Sequence, residues 1–114
     1  MAIAPFEPRV GDEPFLLQVT AGEHETHVRL SGPLDLGTAA ELRQLGIALR
    51  GTAGPVVLDL GALTFIDSTG ITALVGLKGE LDVQLRALTV RDVRPEALDV
   101  LRMVGVDELL GLAS

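Results

Sequence analysis

Apolar and polar positions alternate with a period of two over residues 26–31, where Val28 and Leu30 share one side and His27 and Arg29 the other. Residues 15–20 read as a partner strand, and the polar stretch 21–25 between the two runs suits a hairpin turn. Ser31-Gly32-Pro33 predicts the end of the second strand. Beyond residues 34–38 the period changes: Leu42, Leu45 and Leu49 recur at three and four, with Ala39 and Ala48 beside them and Glu41 and Arg43 facing elsewhere. This predicts a helix as far as Arg50, stopped by the glycines and proline of residues 51–55. Residues 56–60 are apolar at most positions, the pattern of a strand covered on both faces.

Residues 61–65 are expected to form a connection, and Ile66-Asp67-Ser68-Thr69-Gly70 to lead into a second helix whose buried side carries Ile71, Leu74, Val75 and Leu77. Gly76 and Gly79 weaken that helix by up to about 1 kcal/mol each relative to alanine. A further strand is expected over residues 85–93. Pro95 suits the first turn of a last helix with Leu98, Leu101 and Val104 toward the core, and Gly105 suits its end. Residues 106–112 would add a short edge strand or a helical turn. Strands and helices alternating at this spacing predict a single α/β domain over residues 15–114, with a mixed sheet of four to five strands and three or four helices. Residues 1–14 hold three of the six prolines and little periodicity, and read as a flexible leader.

Composition narrows the functional classes. The chain has 114 residues, 47% of them hydrophobic and 22% charged, which suits one globular domain with its own core. Nine basic against 16 acidic residues give a net charge of −7, a field that repels phosphate backbones, and the 3% aromatic content supplies few stacking platforms for single strands. Zero cysteines exclude disulfides, thiolate metal sites and cysteine nucleophiles. The chain has no apolar run approaching a membrane span and no leader of the secretory pattern, so a cytoplasmic protein without membrane insertion is expected.

The candidate chemistry lies where strands give way to helices. Asp67, Ser68, Thr69 and Gly70 occupy a helix start, where unpaired amides carry a partial positive charge and can accept a capping side chain or hold a phosphate. Gly70 has no side chain, which would let a partner approach the Ser68 hydroxyl. Taken alone, an Asp or Ser before a helix is ordinarily an N-cap, worth roughly 1 kcal/mol. Asp35, in Ser31-Gly32-Pro33-Leu34-Asp35-Leu36, has the same local reading. Both loops leave a strand and enter a helix, so they should meet at the end of the sheet where α/β domains build their sites.

A serine hydrolase is disfavoured, since a nucleophile elbow needs glycine two residues before and after the serine and Ile66 holds the first of those places. His24 and His27 are the only histidines; in an extended hairpin they point to opposite sides, which spoils them as a metal pair. A carboxylate pair of Asp35 and Asp67 has no indicated substrate pocket. No glycine-rich loop with lysine follows a strand, so a nucleotide site is not expected.

Gly32-Pro33-Leu34-Asp35, Val57-Leu58-Asp59-Leu60, Phe65-Ile66-Asp67-Ser68-Thr69-Gly70 and residues 101–107 occur in the order seen in one family. The chain resembles the STAS family, and within it the bacterial anti-sigma factor antagonists, from about Phe15 to Leu112. The resemblance implies a switch with no catalytic residue, metal or cofactor. The unmodified protein would bind an anti-sigma factor serine kinase and release the sigma factor. Phosphorylation of Ser68 would end that binding, and a phosphatase would restore it. Asp35, Asp67, Ser68, Thr69, Gly70 and Thr72 are the expected partner-binding residues, with Thr72 one turn beyond Ser68 and Lys78 at the rim. Pro33 stands where the family carries an acidic residue, which alters the charge of the recognition surface. The alternative within the same resemblance is a non-phosphorylated STAS scaffold subunit of a stressosome-like or lipid-transport ABC complex.

Overall fold

The computed structural model describes residues 14–112; the leader expected over residues 1–14 falls, up to residue 13, outside the described residues. The elements run β1 (Leu16–Ala21), β2 (Thr26–Leu34), α1 (Ala39–Ala48), a 3-10 turn (Leu49–Gly51), β3 (Val56–Ile66), α2 (Ser68–Val83), β4 (Leu88–Arg91) and α3 (Pro95–Met103). The strands form one mixed sheet in the order β1-β2-β3-β4, with β1 and β2 antiparallel and β2, β3 and β4 parallel. This is the expected α/β class, with four strands and three helices. Because β2→β3 and β3→β4 step in the same direction across the sheet, right-handed crossovers place α1 and α2 on the same face.

That face is the core. Val28 and Leu30 of β2 and Val56, Leu58 and Leu60 of β3 point into it, against Leu42, Leu45 and Leu49 from the first helical segment and Leu74, Leu77 and Leu81 from α2. The opposite face carries His27, Arg29, Val57 and Asp59, none of them fully buried, so β3 is sealed on one side rather than on both as its composition suggests. Gly46 lets the helices close: a Cβ there would lie 3.1 Å from Cγ of Glu80 on α2.

Both central strands outrun their expected ends. β2 continues through Gly32 and Pro33 to Leu34, and residues 61–65, expected as a connection, extend β3 to Ile66. Proline is tolerated because β1 pairs no further along β2 than Ser31, so no neighbour there needs the missing N–H. Gly32 adopts φ +83°, and a Cβ on it would sit 2.2 Å from the Pro14 carbonyl oxygen. β3 carries one extra residue between Asp59 and Ala62 and another between Leu63 and Phe65 relative to β2, and these bulges break the two-residue period.

β4 is shorter than its apolar run. Leu85 closes α2 in the left-handed region (φ 58°): its N–H donates to Asp82 O at 3.0 Å and the Arg86 N–H to Leu81 O at 2.9 Å. The same Schellman closure ends α3, this time with glycine, through Gly105 N–H to Arg102 O at 3.1 Å and Val106 N–H to Leu101 O at 3.0 Å. After it the chain forms a turn that buries Leu110, and no edge strand. Ala48 and Val104, expected on the core side, are exposed. Among the described residues no helix is long and apolar enough to cross a membrane.

Candidate functional site

The loops after β2 and β3 lie side by side, because Leu34 and Ile66 are register partners at the ends of parallel strands. They are laced together by backbone: the Asp67 N–H donates to Leu34 O at 3.3 Å. Gly70 explains how closely α2 approaches. A Cβ at that position would stand 2.3 Å from the Leu34 carbonyl oxygen, so any side chain would push the helix away from β2. Gly70, expected on the partner-binding surface, is buried and serves the packing of α2 against β2.

Asp67 is the N-cap of α2. Its Oδ1 accepts from the Gly70 N–H at 3.0 Å and from the Thr69 hydroxyl, and the Thr69 and Leu36 amides also donate to the carboxylate. The Thr69 hydroxyl contributes most to holding the Asp67 carboxyl below its ordinary range, and the backbone donors add to it against the opposing effect of burial. Asp67 therefore closes the helix and ties it to the neighbouring loop. The Thr69 and Gly70 amides, expected to be free for a phosphate, are already engaged by its carboxylate.

Asp35 organises its own loop. Its Oδ1 accepts from the Gly37 N–H at 3.0 Å, and its backbone oxygen accepts from the amides of Thr38 and Ala39 at 3.1 and 2.8 Å. Thr38 is the N-cap residue of α1 but makes no capping bond; its hydroxyl donates to Pro33 O at 2.9 Å and accepts from the Asp35 N–H at 2.9 Å.

Ser68 differs from its neighbours. It is the first residue of α2, is exposed, and its hydroxyl has no hydrogen-bond partner among the described residues. Thr72, one turn on and also exposed, donates its hydroxyl back to Ser68 O at 2.9 Å. Two hollows flank Ser68. One, of about 230 Å3, is lined by Leu36, Ala39, Arg43, Ser68, Thr69 and Thr72. The other, of about 290 Å3, is lined by Ser68, Ile71, Thr72, Val75, Val104 and Val106 and is almost wholly apolar. Leu36 is 77% and Val104 55% exposed, so two large aliphatic side chains stand open beside the serine. Gly76 lies farther along the exposed face of α2, and Lys78 is paired with Asp82 on its own helix.

Leu36, Arg43, Val104 and Val106 were not singled out as site residues. Leu36 had a signal: a leucine between Asp35 and Gly37, in a loop, with no place in either helical period. The other three reach the site only through tertiary packing.

The larger hollow of about 370 Å3, between the end of β3 and α3, is lined by Leu63, Phe65, Arg94 and Val100 among others and does not include Ser68. The histidines lie at the opposite end of the sheet. His27 pairs with Glu25 and lies seven residues before Leu34 along β2, so on the order of 20 Å separates it from the strand end beside Ser68. Among the described residues no group of three or more histidine or carboxylate side chains is placed to hold a metal.

Comparison with known proteins follows this geometry. The family model for "Mlab, STAS domain" matches residues 17–111. No curated protein matches the sequence. Among solved structures, the anti-sigma factor antagonist SpoIIAA in its unphosphorylated form is similar at a TM-score of 0.67 and 19% identity, over 89% of this chain and 100% of that one. An anti-sigma factor antagonist from Mycobacterium paratuberculosis is similar at 0.70 and 23% identity, over 84% and 82% of the two chains. A sulfate transporter family protein from Wolinella succinogenes is similar at 0.71 and 22% identity, over 81% and 75%. At these identities the structures establish a shared fold.

Proposed function

The chain belongs to the STAS domain family, and from that premise we propose that it is a phosphorylation-controlled docking module of the anti-sigma factor antagonist type. In the unmodified state it binds an anti-sigma factor serine kinase and releases the sigma factor. The kinase transfers the γ-phosphoryl group of ATP to Oγ of Ser68, whose proton leaves as ADP is formed, and binding ends. A phosphatase hydrolyses the phosphoester and restores the docking state. The protein itself binds no cofactor and acts inside the cytoplasm.

One observation carries this reading: at the helix start Ser68 alone presents an exposed, unbonded hydroxyl, while Asp67, Thr69 and Thr72 are engaged within the fold. The surface around it suits a partner, with exposed Leu36 and Val104 beside Thr72. A phosphoryl group would add about −1.5 to −2 charges there at neutral pH. It would stand next to the ionised Asp67 in a chain already at −7. Docking would then have to strip water from a dianion beside a carboxylate, which costs several kcal/mol, and each 1.4 kcal/mol is tenfold in affinity. Backbone rearrangement is not required.

The test is to incubate the protein with anti-sigma factor serine kinases and ATP and to locate phosphate by mass spectrometry. A single phosphate on Ser68, absent from Ser68→Ala, is the expected result. A second reading, a permanent docking subunit of a stressosome-like or lipid-transport ABC complex, is favoured by the Mlab description of the matching family model. Ser68 left unmodified, with the protein co-purifying with an ABC transporter, would select that reading instead.

A further inference from the structure

We propose that Arg43 is the intramolecular counter-ion of the phosphoryl group on Ser68, swinging across the groove between α1 and α2 when the modification is made. This rests on Ser68 being the phosphorylated residue. Arg43 lies one turn after Ala39 on α1 and lines the same hollow of about 230 Å3 as Ser68, Thr69 and Thr72. It is exposed and has no hydrogen bond or ion pair among the described residues. Arg29, Arg50 and Arg86 are engaged, with Asp59, Glu80 and the carbonyls of Gly54 and Leu49, whereas Arg91 and Arg102 are unpaired among the described residues like Arg43 but line neither hollow beside Ser68. Arg43 is thus a cation held at the rim of the groove without an anion.

The backbone offers a phosphate little competition. The Thr69 and Gly70 amides already donate to Asp67 and are not free for a phosphate. Of the residues lining the two hollows beside Ser68, Arg43 on α1 is the one charged side chain; Asp67 precedes Ser68 in the chain, Asp35 lies on the neighbouring loop, and Val104 and Val106 face Ser68 from the C-terminal side without charge. A guanidinium fork matches two phosphate oxygens, and a dianion attracts it more strongly than a monoanion. The paired Arg43 would fill the hollow that lies open in the unmodified protein. Phosphorylation would then close the docking groove by occupation, while Arg43 offsets part of the added charge.

The test uses the full chain with phosphoserine installed at position 68 during translation, so it does not depend on any kinase. The second ionisation of the phosphate is followed by phosphorus NMR. Free phosphoserine titrates near pH 6. Arg43→Gln is expected to raise that midpoint by about half a unit relative to wild type, and Arg43→Lys by less. The difference should shrink in molar salt. Titration of all three proteins at one midpoint would overturn the proposal. Failure of the kinase to modify Ser68 would instead overturn the functional reading, and the mass-spectrometric assay reports that separately. Arg43 is exposed, and circular dichroism of each variant checks that the fold is kept.

Discussion

Removing the Asp67 carboxylate isolates the part of the site that holds the two loops together. Four donors converge on it: the amides of Leu36, Thr69 and Gly70 and the Thr69 hydroxyl. Loss of an Asp N-cap costs about 0.5–2 kcal/mol, and leaving the Leu36 amide without its acceptor adds up to about 1 kcal/mol. These losses share one carboxylate and do not simply add, so Asp67→Ala should destabilise by about 2 kcal/mol. For a domain of this size each kcal/mol shifts Tm by about 4 °C, which gives a fall of about 8 °C. The dependence on pH has a definite sign. The folded carboxyl is held below its ordinary value, so its contribution is complete above the unfolded pKa of about 3.9 and is lost as pH falls through the folded value. Urea unfolding of wild type and variant at neutral pH and again near pH 3 measures both effects. The gap should be wide at neutral pH and narrower in acid, with unchanged slopes. Equal midpoints at neutral pH would refute the capping and lacing role given to Asp67.

Two further substitutions probe the same frame. Gly70→Ala places a methyl group 2.3 Å from the Leu34 carbonyl oxygen, and urea unfolding should show a loss of about 2–3 kcal/mol; an unchanged midpoint would mean that α2 can retreat from β2 without penalty. Leu85→Gly relieves a left-handed residue whose side chain is 93% exposed, and thermal unfolding should show a gain of about 1 kcal/mol. Leu85→Ala should show no such gain, since alanine keeps the strain, and a gain there would point to the removed apolar surface instead.

Most of the fold was legible because its signals are periodic. Val28 and Leu30 in β2, and Leu42, Leu45 and Leu49 at helical spacing, mark the buried faces directly. The errors arose where a local signal met a tertiary constraint. Gly32-Pro33 reads as a terminator, yet it continues β2 because β1 has already ended beside it. Residues 61–65 read as a loop because two bulges in β3 erase the alternation. Leu85 reads as the start of a strand because a leucine in the left-handed region is costly and sequence gives no warning of it, whereas Gly105 announces the same closure in α3. The site follows the same division. Ser68 at a helix start and its nearness to the Asp35 loop follow from strand order. That Asp67 rather than Ser68 caps the helix, that Gly70 is buried, and that Arg43 of α1 lines a hollow with Ser68 depend on how α1 and α2 pack against the strand ends.

The most direct test of the account is a calorimetric titration of an anti-sigma factor serine kinase with three forms of the protein: unmodified, Ser68→Ala, and phosphorylated at Ser68. The account predicts that the first two bind alike and that the phosphorylated form binds at least about 100-fold more weakly, a difference of about 2.7 kcal/mol. Equal affinity of all three forms would contradict it.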